Sequence, residues 1–497
     1  MTTTLRATLA IALLIGFYAL VGVIIAATVA FDVLAIQHPH AGAIKLAVIA
    51  SIAAFALLRA LLMVGTRQEE DEYGFAVRPA DEPVLWREVT ELAGVVGTAP
   101  PEEIRLVPDV NAAVSEDTRM LGLRAVKRTM YIGLPLLATL TVAEMRGVLG
   151  HELGHYSGAH TRLGAPTYRG RVALIKAISG LGNHPILRRI FVTYAKLYFR
   201  VSQAVSRQQE HEADEFAVRI SGRQAAGSAL SKVHAAGAAW EYYLNSYVSL
   251  GGAAKATPRD LFGGFRALLA AQAQRFAEEA ASQERSPYDS HPSLPERLAA
   301  IARLPEPTAQ RDDRPAVTLL TQPAAAEHVA QQAMWTPEAR QLPSLPWEEI
   351  IARGMYASAN AEAVADLLVG AQRITGWPEP VLGGALAVLA HGDVDRLGAE
   401  LRNLGWQGAE TRALVATVLA GALQGVFVET GKARWTLSWS GPARLLDERG
   451  EEVELTEVAR RAVDDTAALQ TVRQLLARYD IPESHRPAQL PVPAGPA

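Results

Sequence analysis

The chain has 497 residues, enough for two to four domains at roughly 100–200 residues each. Its net charge of −4 supplies no global basic field for nucleic acid. The absence of cysteine excludes disulfides, thiolate metal sites and cysteine nucleophiles, so any metal must be held by His, Asp or Glu; a disulfide-free chain also fits a reducing compartment.

Residues Ala7 to Phe31 carry no charge over 25 positions, long enough to span a bilayer that needs about 20 apolar residues. A second apolar run goes from Ala43 to Gly65, with Lys45 and Arg59 placed where they can snorkel. A signal peptide is the alternative, with Thr28-Val29-Ala30 as a poor cleavage site, an overlong apolar core and a second run behind it. The connecting stretch Asp32 to His40 has no Lys or Arg, whereas Arg6 and Arg67 flank the pair. The positive-inside rule then puts the N-terminus and everything after Thr66 in the cytoplasm.

Arg67 to Glu82 is polar and acidic, a natural exit from a membrane. Pro83 to Val96 predicts an amphipathic helix with Leu85, Val89, Leu92 and Val95 or Val96 on one side, and Pro100-Pro101 follows as a break. Ile104–Val107, Asn111–Val114 and Tyr131–Leu134 read as short strands of a small sheet flanked by helices.

Thr141 and Glu144 form a Thr-x-x-Glu capping box ahead of a helix that carries His151-Glu152-Leu153-Gly154-His155. Residues four apart lie one above the other, so His151 and His155 can share a metal, with Glu152 set about 100° aside. Neutral imidazoles hold zinc with an open position, and a neighbouring carboxylate takes the proton of the activated water. Two solvated histidines on a surface helix are the plainer reading. Against it, Gly147, Gly150, Gly154 and Gly158 form one narrow stripe. In an exposed helix each would cost about 1 kcal/mol without return, whereas a buried stripe lets a second helix approach closely.

A third ligand is expected about 55 residues on, in the helical stretch Ser206 to Ala217 that Gly222 ends. Glu210 and Asp214 share a face, giving one carboxylate for the metal and one to receive an imidazole N–H. Spacing alone leaves Glu212, Glu215 and His211 as rivals.

The two motifs together resemble the membrane zinc endopeptidases that include the heat-shock protease HtpX and the CAAX prenyl proteases. That family pairs His-Glu-x-x-His with Ser-Arg-x-x-Glu-x-x-Ala-Asp, matched here by Ser206, Arg207, Glu210, Ala213 and Asp214. The resemblance implies one Zn2+ per chain on His151, His155 and Glu210, with Asp214 as the partner of a ligand. It implies an α+β, mostly helical zincin-like (gluzincin) peptidase domain with a small sheet, and points to membrane protein quality control. Asn111-Ala112-Ala113 resembles the family's edge segment beside the cleft, so Asn111 and Ala112 are expected to bind substrate. Ser290 to Leu298 resembles its His-Pro…Arg segment, which makes His291 and Arg297 candidates for stabilising an oxyanion. The resemblance covers roughly Pro83 to Leu304. HtpX-type members carry further transmembrane helices between the metal motifs; here the longest charge-free run in that gap is 11 residues, Ala177 to Leu187, too short to span. Only the N-terminal pair is therefore expected to anchor the chain, and prenylated substrates do not follow.

The same gap, Tyr156 to Gln209, holds no acidic residue but nine basic ones: Arg162, Arg169, Arg171, Lys176, Arg188, Arg189, Lys196, Arg200 and Arg207. This is either an ordinary solvated face or a surface that rests on anionic lipid. Pro305 to Pro346, rich in Pro, Ala and Gln, reads as a linker or extended strap. From Trp347 to Arg486 the chain reads as a mainly helical domain without a catalytic constellation. Ala361–Ile374, Glu379–His391, Glu410–Val428 and Thr456–Tyr479 are its helices, Arg434–Trp439 and a stretch ending at Leu455 its strands, and the tail from Pro487 reads as disordered. Ala413 to Val428, apolar over 16 residues, is expected to be a core helix.

The reading that follows is a membrane-anchored zinc metalloendopeptidase acting on protein or peptide substrates at a lipid bilayer, with Glu152 as general base. Its rivals are a membrane-tethered binding module that keeps the fold, and an enzyme held latent by the C-terminal half.

Overall fold

The computed structural model describes residues 3–63, 74–119, 124–157, 174–175, 178, 185–282, 292–308 and 311–488. Two compact units emerge, one of residues 1–240 with 273–334, the other of residues 241–272 with 335–497.

The first unit begins with helix α1 (Thr3–Gln37) and helix α2 (Ala41–Met63), packed on one another and joined by Ser51 Oγ donating to Asp32 Oδ2 at 2.6 Å. Thr8–Gln37 is long and apolar enough to cross a membrane. Helix α3 (Pro83–Val96) buries Leu85, Val89, Leu92, Ala93 and Val96, leaves Val95 exposed, and ends at Gly97 with φ 80°.

Strands β1 (Phe75–Val77), β2 (Glu103–Val107), β3 (Ala112–Arg119) and β4 (Arg124–Gly133) form one sheet in the order β1-β2-β4-β3. β2 and β4 are parallel, and the outer pairs antiparallel. β3 and β4 run longer than their apolar stretches predict. Their far ends, Glu116–Arg119 and Arg124–Arg128, are polar, so hydrophobic alternation does not mark them, yet the ladder continues to Arg119↔Arg124 across an irregularity at Asp117/Thr118.

β4 leads through α4 (Leu134–Thr139) into α5 (Val142–Gly154), the helix of the His-Glu-x-x-His motif. Helix α6 (Pro185–Tyr243) is a 59-residue run bent at Gly222, whose φ of 83° and ψ of 161° suit only glycine. Helix α7 (Leu261–Ser282) breaks at Gln272, the position at which the two units divide. Helix α8 (Leu294–Ile301) follows, with a Ser293–Glu296 capping box. The first turns of α6 pack on α1: Phe191 meets Phe17 edge-on, and the Tyr194 hydroxyl donates to the Leu13 carbonyl. Phe17, Val21, Leu57, Leu174, Phe191, Ala195 and Tyr198 form one buried cluster there. Of the nine basic residues noted between the motifs, Arg162, Arg169, Arg171 and Lys176 lie outside the described residues.

The stretch expected as a linker or strap carries structure of its own. The carbonyls of Arg314 and Asp312 accept the first amides of α5, those of Val142 and Ala143, and Ala316 N–H donates to Leu140. Helix α9 (Pro323–Met334) then forms.

The second unit packs helices Ala361–Thr375, Leu382–Ala390, Val394–Asn403 and Thr411–Glu429 around a large apolar core. Thr411–Glu429 is mostly buried, as a core helix should be. The closing helix expected over Thr456–Tyr479 is two, Thr456–Asp464 and Leu469–Arg478. Asp465 separates them and accepts from Ala467 N–H. Of the tail, residues 489–497 lie outside the described residues.

Candidate metal centre

The site starts at the cap of α5. Thr141 Oγ1 accepts from Glu144 N–H at 3.2 Å, and Glu144 Oε2 accepts from Thr141 N–H at 2.8 Å. The buried Glu144 also receives Ser228 Oγ at 2.6 Å and Lys232 Nζ at 2.8 Å, both from α6. Burial raises the Glu144 pKa, but these hydrogen bonds outweigh it and hold the carboxyl below its ordinary value.

Beyond this polar lock the helices close on glycine. A Cβ at Gly147 would stand 2.7 Å from Ser221 Oγ, one at Gly150 2.4 Å from Ile220, and one at Gly154 2.9 Å from Phe216. A side chain at any of the three would force these neighbours to shift, so the stripe lets α6 come near α5 and brings Glu210 toward the histidines. Gly158 lies outside the described residues.

His151 and His155 turn their Nε2 atoms toward each other at 3.2 Å. Glu210, buried on α6, brings Oε2 to 3.7 Å from His151 and Oε1 to 3.7 Å from His155. Tetrahedral zinc with ligand atoms about 2.0–2.1 Å away would hold them about 3.3 Å from one another, so two imidazoles and this carboxylate are a fitting donor set. Among the described residues these three side chains form the group able to hold a metal, their ligating atoms all within 4.8 Å. The rivals stand aside: Glu215 is exposed, Glu212 accepts from Gln208 Nε2 at 2.9 Å, and His211 is outside the cluster.

Asp214 lies 3.1 Å from His151 Nδ1, which turns the other ring nitrogen to the metal position. Arg297 of α8 donates twice to Asp214, at 3.0 and 2.6 Å, and stands 3.3 Å from Glu210. Burial raises the Asp214 pKa, but hydrogen bonds from His151 and Arg297 prevail and carry it down to about 2. Arg297 is itself buried and grips the two carboxylates, an arrangement that its resemblance-derived oxyanion role did not foresee. Glu152 is half-buried on α5, close enough for its charge to act on Arg297. His291 lies outside the described residues.

Asn111 and Ala112 stand where β3 begins, and β3 is the outer strand of its sheet. α5 packs against β3, and the Tyr156 hydroxyl, one residue past His155, reaches the Val114 carbonyl of that strand. Two sets of partners escaped the sequence reading. Ser228 and Lys232 are 84 and 88 residues from Glu144, and no spacing rule links such positions. Tyr156, next to His155, was legible only as a neighbour of the motif.

No curated protein and no solved structure matches the chain. Residues 79–304 match the family model described as Peptidase family M48, a span that holds strands β2 to β4, the two helices of the candidate metal cluster and Arg297. That segment is similar to the peptidase domains of family M48, a likeness that indicates a protease and supports a place among the zinc metallopeptidases.

Proposed function

We propose that this protein is a membrane-anchored zinc metalloendopeptidase that cleaves extended segments of protein substrates. The convergence of His151 Nε2, His155 Nε2 and a Glu210 oxygen within 4.8 Å carries the reading. Bound zinc would supply a Lewis acid and lower the pKa of a coordinated water. His151, His155 and Glu210 would hold it, and Asp214 keeps His151 in the required tautomer. Glu152 takes the proton of the attacking water and returns it to the leaving amine. Arg297 fixes Asp214 and Glu210 against their buried surroundings. His291 and Arg297 remain the candidates for meeting negative charge on the scissile carbonyl oxygen. The outer side of β3, at Ala112, offers an edge on which a substrate strand can pair.

Membrane anchorage rests on α1 and α2 and extends to α6. The residues of α1 that touch the Phe191 cluster run from Ala10 to Ile25, about 22 Å at 1.5 Å per residue, most of a hydrocarbon core of about 30 Å. Where α1 spans, the first turns of α6 lie beside it at membrane depth. The contacts Phe191–Phe17 and Tyr194–Leu13 make the two helices antiparallel, so α6 leaves the bilayer on the side of the N-terminus. Glu210 stands ten residues beyond Arg200, about 15 Å further along the helix. By the positive-inside rule Arg6 and Arg67 support a cytoplasmic position for that side.

The deciding measurement is hydrolysis of an unstructured protein by the wild type and Glu152→Gln, each purified in detergent with zinc. Activity confined to the wild type is expected, and equal rates would refute the assignment. Because the chain lacks cysteine, single substitutions report depth without background. In sealed vesicles, Ile190→Cys and Leu197→Cys, at residues 43% and 50% exposed, should resist an impermeant maleimide until detergent is added. Prompt labelling would leave α6 outside the bilayer.

A further inference from the structure

The outer side of β3 is not uniformly open. The Asn111 carbonyl accepts from Gly133 N–H at 2.7 Å, so the Asn111 backbone faces β4. Backbone direction alternates along a strand, and Ala112, Val114 and Glu116 therefore turn N–H and C=O to the outer side. An independent contact agrees: the Tyr156 hydroxyl donates to the Val114 carbonyl at 2.5 Å. Tyr156 directly follows the metal-site residue His155 and is fixed from several directions. Its carbonyl accepts from Thr98 Oγ1 at 3.0 Å, and the Arg128 guanidinium stands 5.1 Å from its ring centroid. Arg128 in turn donates to Thr98 Oγ1 at 2.9 Å.

An added substrate strand would draw its hydrogen bonds from these outward groups. At Ala112 the pair of groups faces outward. At Val114, two residues on, a phenol stands where a substrate N–H would approach. We propose that Tyr156 is a positioning residue that ends the substrate's backbone ladder at Val114. Pairing is thereby confined to the Ala112 end of the edge, which fixes the register of the scissile bond against the metal. The chemical consequence is a defined tolerance. The substrate residue opposite Val114 needs no N–H, so proline or an N-methylated residue is accepted there. This rests on the peptidase reading and on substrate lying along β3.

The test is a backbone N-methyl scan of a fluorescent peptide that the wild type cleaves, bound to the zinc-loaded Glu152→Gln protein so that the peptide survives. One position, two residues from that facing Ala112, should be indifferent to methylation, while methylation opposite Ala112 weakens binding. Adding Tyr156→Phe should free the Val114 carbonyl. The unmethylated peptide then binds about 2–10-fold tighter than its methylated twin, the worth of one neutral hydrogen bond. In active enzyme the same change should act on KM for long peptides more than on kcat. If methylation at the Val114 position already weakens binding to the Tyr156 protein, or if Tyr156→Phe leaves the scan unchanged, the proposal fails while Glu152-dependent cleavage still upholds the peptidase. Absence of Glu152-dependent cleavage would remove the peptidase reading itself, and the proposal with it. The scan on the Tyr156 protein needs no variant at that position, so poor folding of Tyr156→Phe would not spare it.

Discussion

Two buried polar clusters, one in each unit, differ in what their atoms face. In the second unit Asn360 is fully buried, and its amide donates to the Gly421 carbonyl at 3.1 Å and to Gln424 Oε1 at 3.2 Å. Its carbonyl oxygen accepts from Trp435 Nε1 at 2.7 Å. Donor meets acceptor throughout, and the cluster is neutral. In the first unit two imidazole nitrogens and a carboxylate oxygen point their lone pairs at one place, while Arg297 and Asp214 stand behind them. With His151 Nδ1 turned to Asp214, such a convergence suits a cation. Convergence of like groups, rather than buried polarity itself, separates a site from a core.

The largest effect expected on this contrast is catalytic. Glu152→Gln should lower turnover by at least about 10²-fold, the usual worth of a general base, while zinc content measured by atomic absorption stays at one per chain. A chelator should abolish hydrolysis and added zinc restore it. If Glu152→Gln lost the zinc as well, the split between holding the metal and moving the proton would be wrong.

Next come the partners of the ligands. Arg297→Met removes the cation between Asp214 and Glu210 and should weaken zinc binding about 10–100-fold, read by competition with a chromophoric chelator. Asn360→Ala should leave zinc affinity unchanged and destabilise the second unit by about 1–3 kcal/mol, seen in thermal unfolding. A change of zinc affinity in the Asn360 variant would erase the distinction between the two clusters.

Steric closeness supplies a third handle. Gly150→Val would drive a branched side chain into Ile220, at a cost of about 1–3 kcal/mol or a parting of α5 from α6. Either outcome should loosen Glu210 from the histidines and lower zinc affinity; unaltered affinity with unaltered stability would mean that the stripe sets nothing.

The metal face of α5, its cap and Glu210 were legible because helical spacing turns sequence distance into direction. Residues Gly147, Gly150 and Gly154 announced a close neighbour in the same way. Helix starts such as Thr141 and Pro83 were legible from local capping chemistry. What stayed hidden was tertiary. Lys232 is an ordinary exposed-looking lysine until the bend at Gly222 brings it to Glu144. The first turns of α6 carry too many basic residues to pass a hydropathy test, yet they bury Phe191, Ala195 and Tyr198 against α1. The stretch before α9 has no periodicity to read because it works through backbone carbonyls, which every residue owns.

The smallest effect belongs to the lock at the start of α5, and its sign follows from ionisation. Thr141, Ser228 and Lys232 hold the Glu144 pKa below its ordinary 4.5. A carboxyl depressed by folding contributes stability above its unfolded pKa and loses it as pH falls through the folded value. Glu144→Gln should therefore cost about 1–3 kcal/mol at pH 7, and the gap to the wild type should shrink once the pH passes below 4.5. A double-mutant cycle with Lys232→Met, followed by thermal unfolding of zinc-free protein in detergent, isolates the pair from the metal. Its coupling should be present at neutral pH and absent at pH values where Glu144 is protonated. A coupling that persists in acid would mean that packing along the Lys232 stem, rather than its charge, ties α6 to α5.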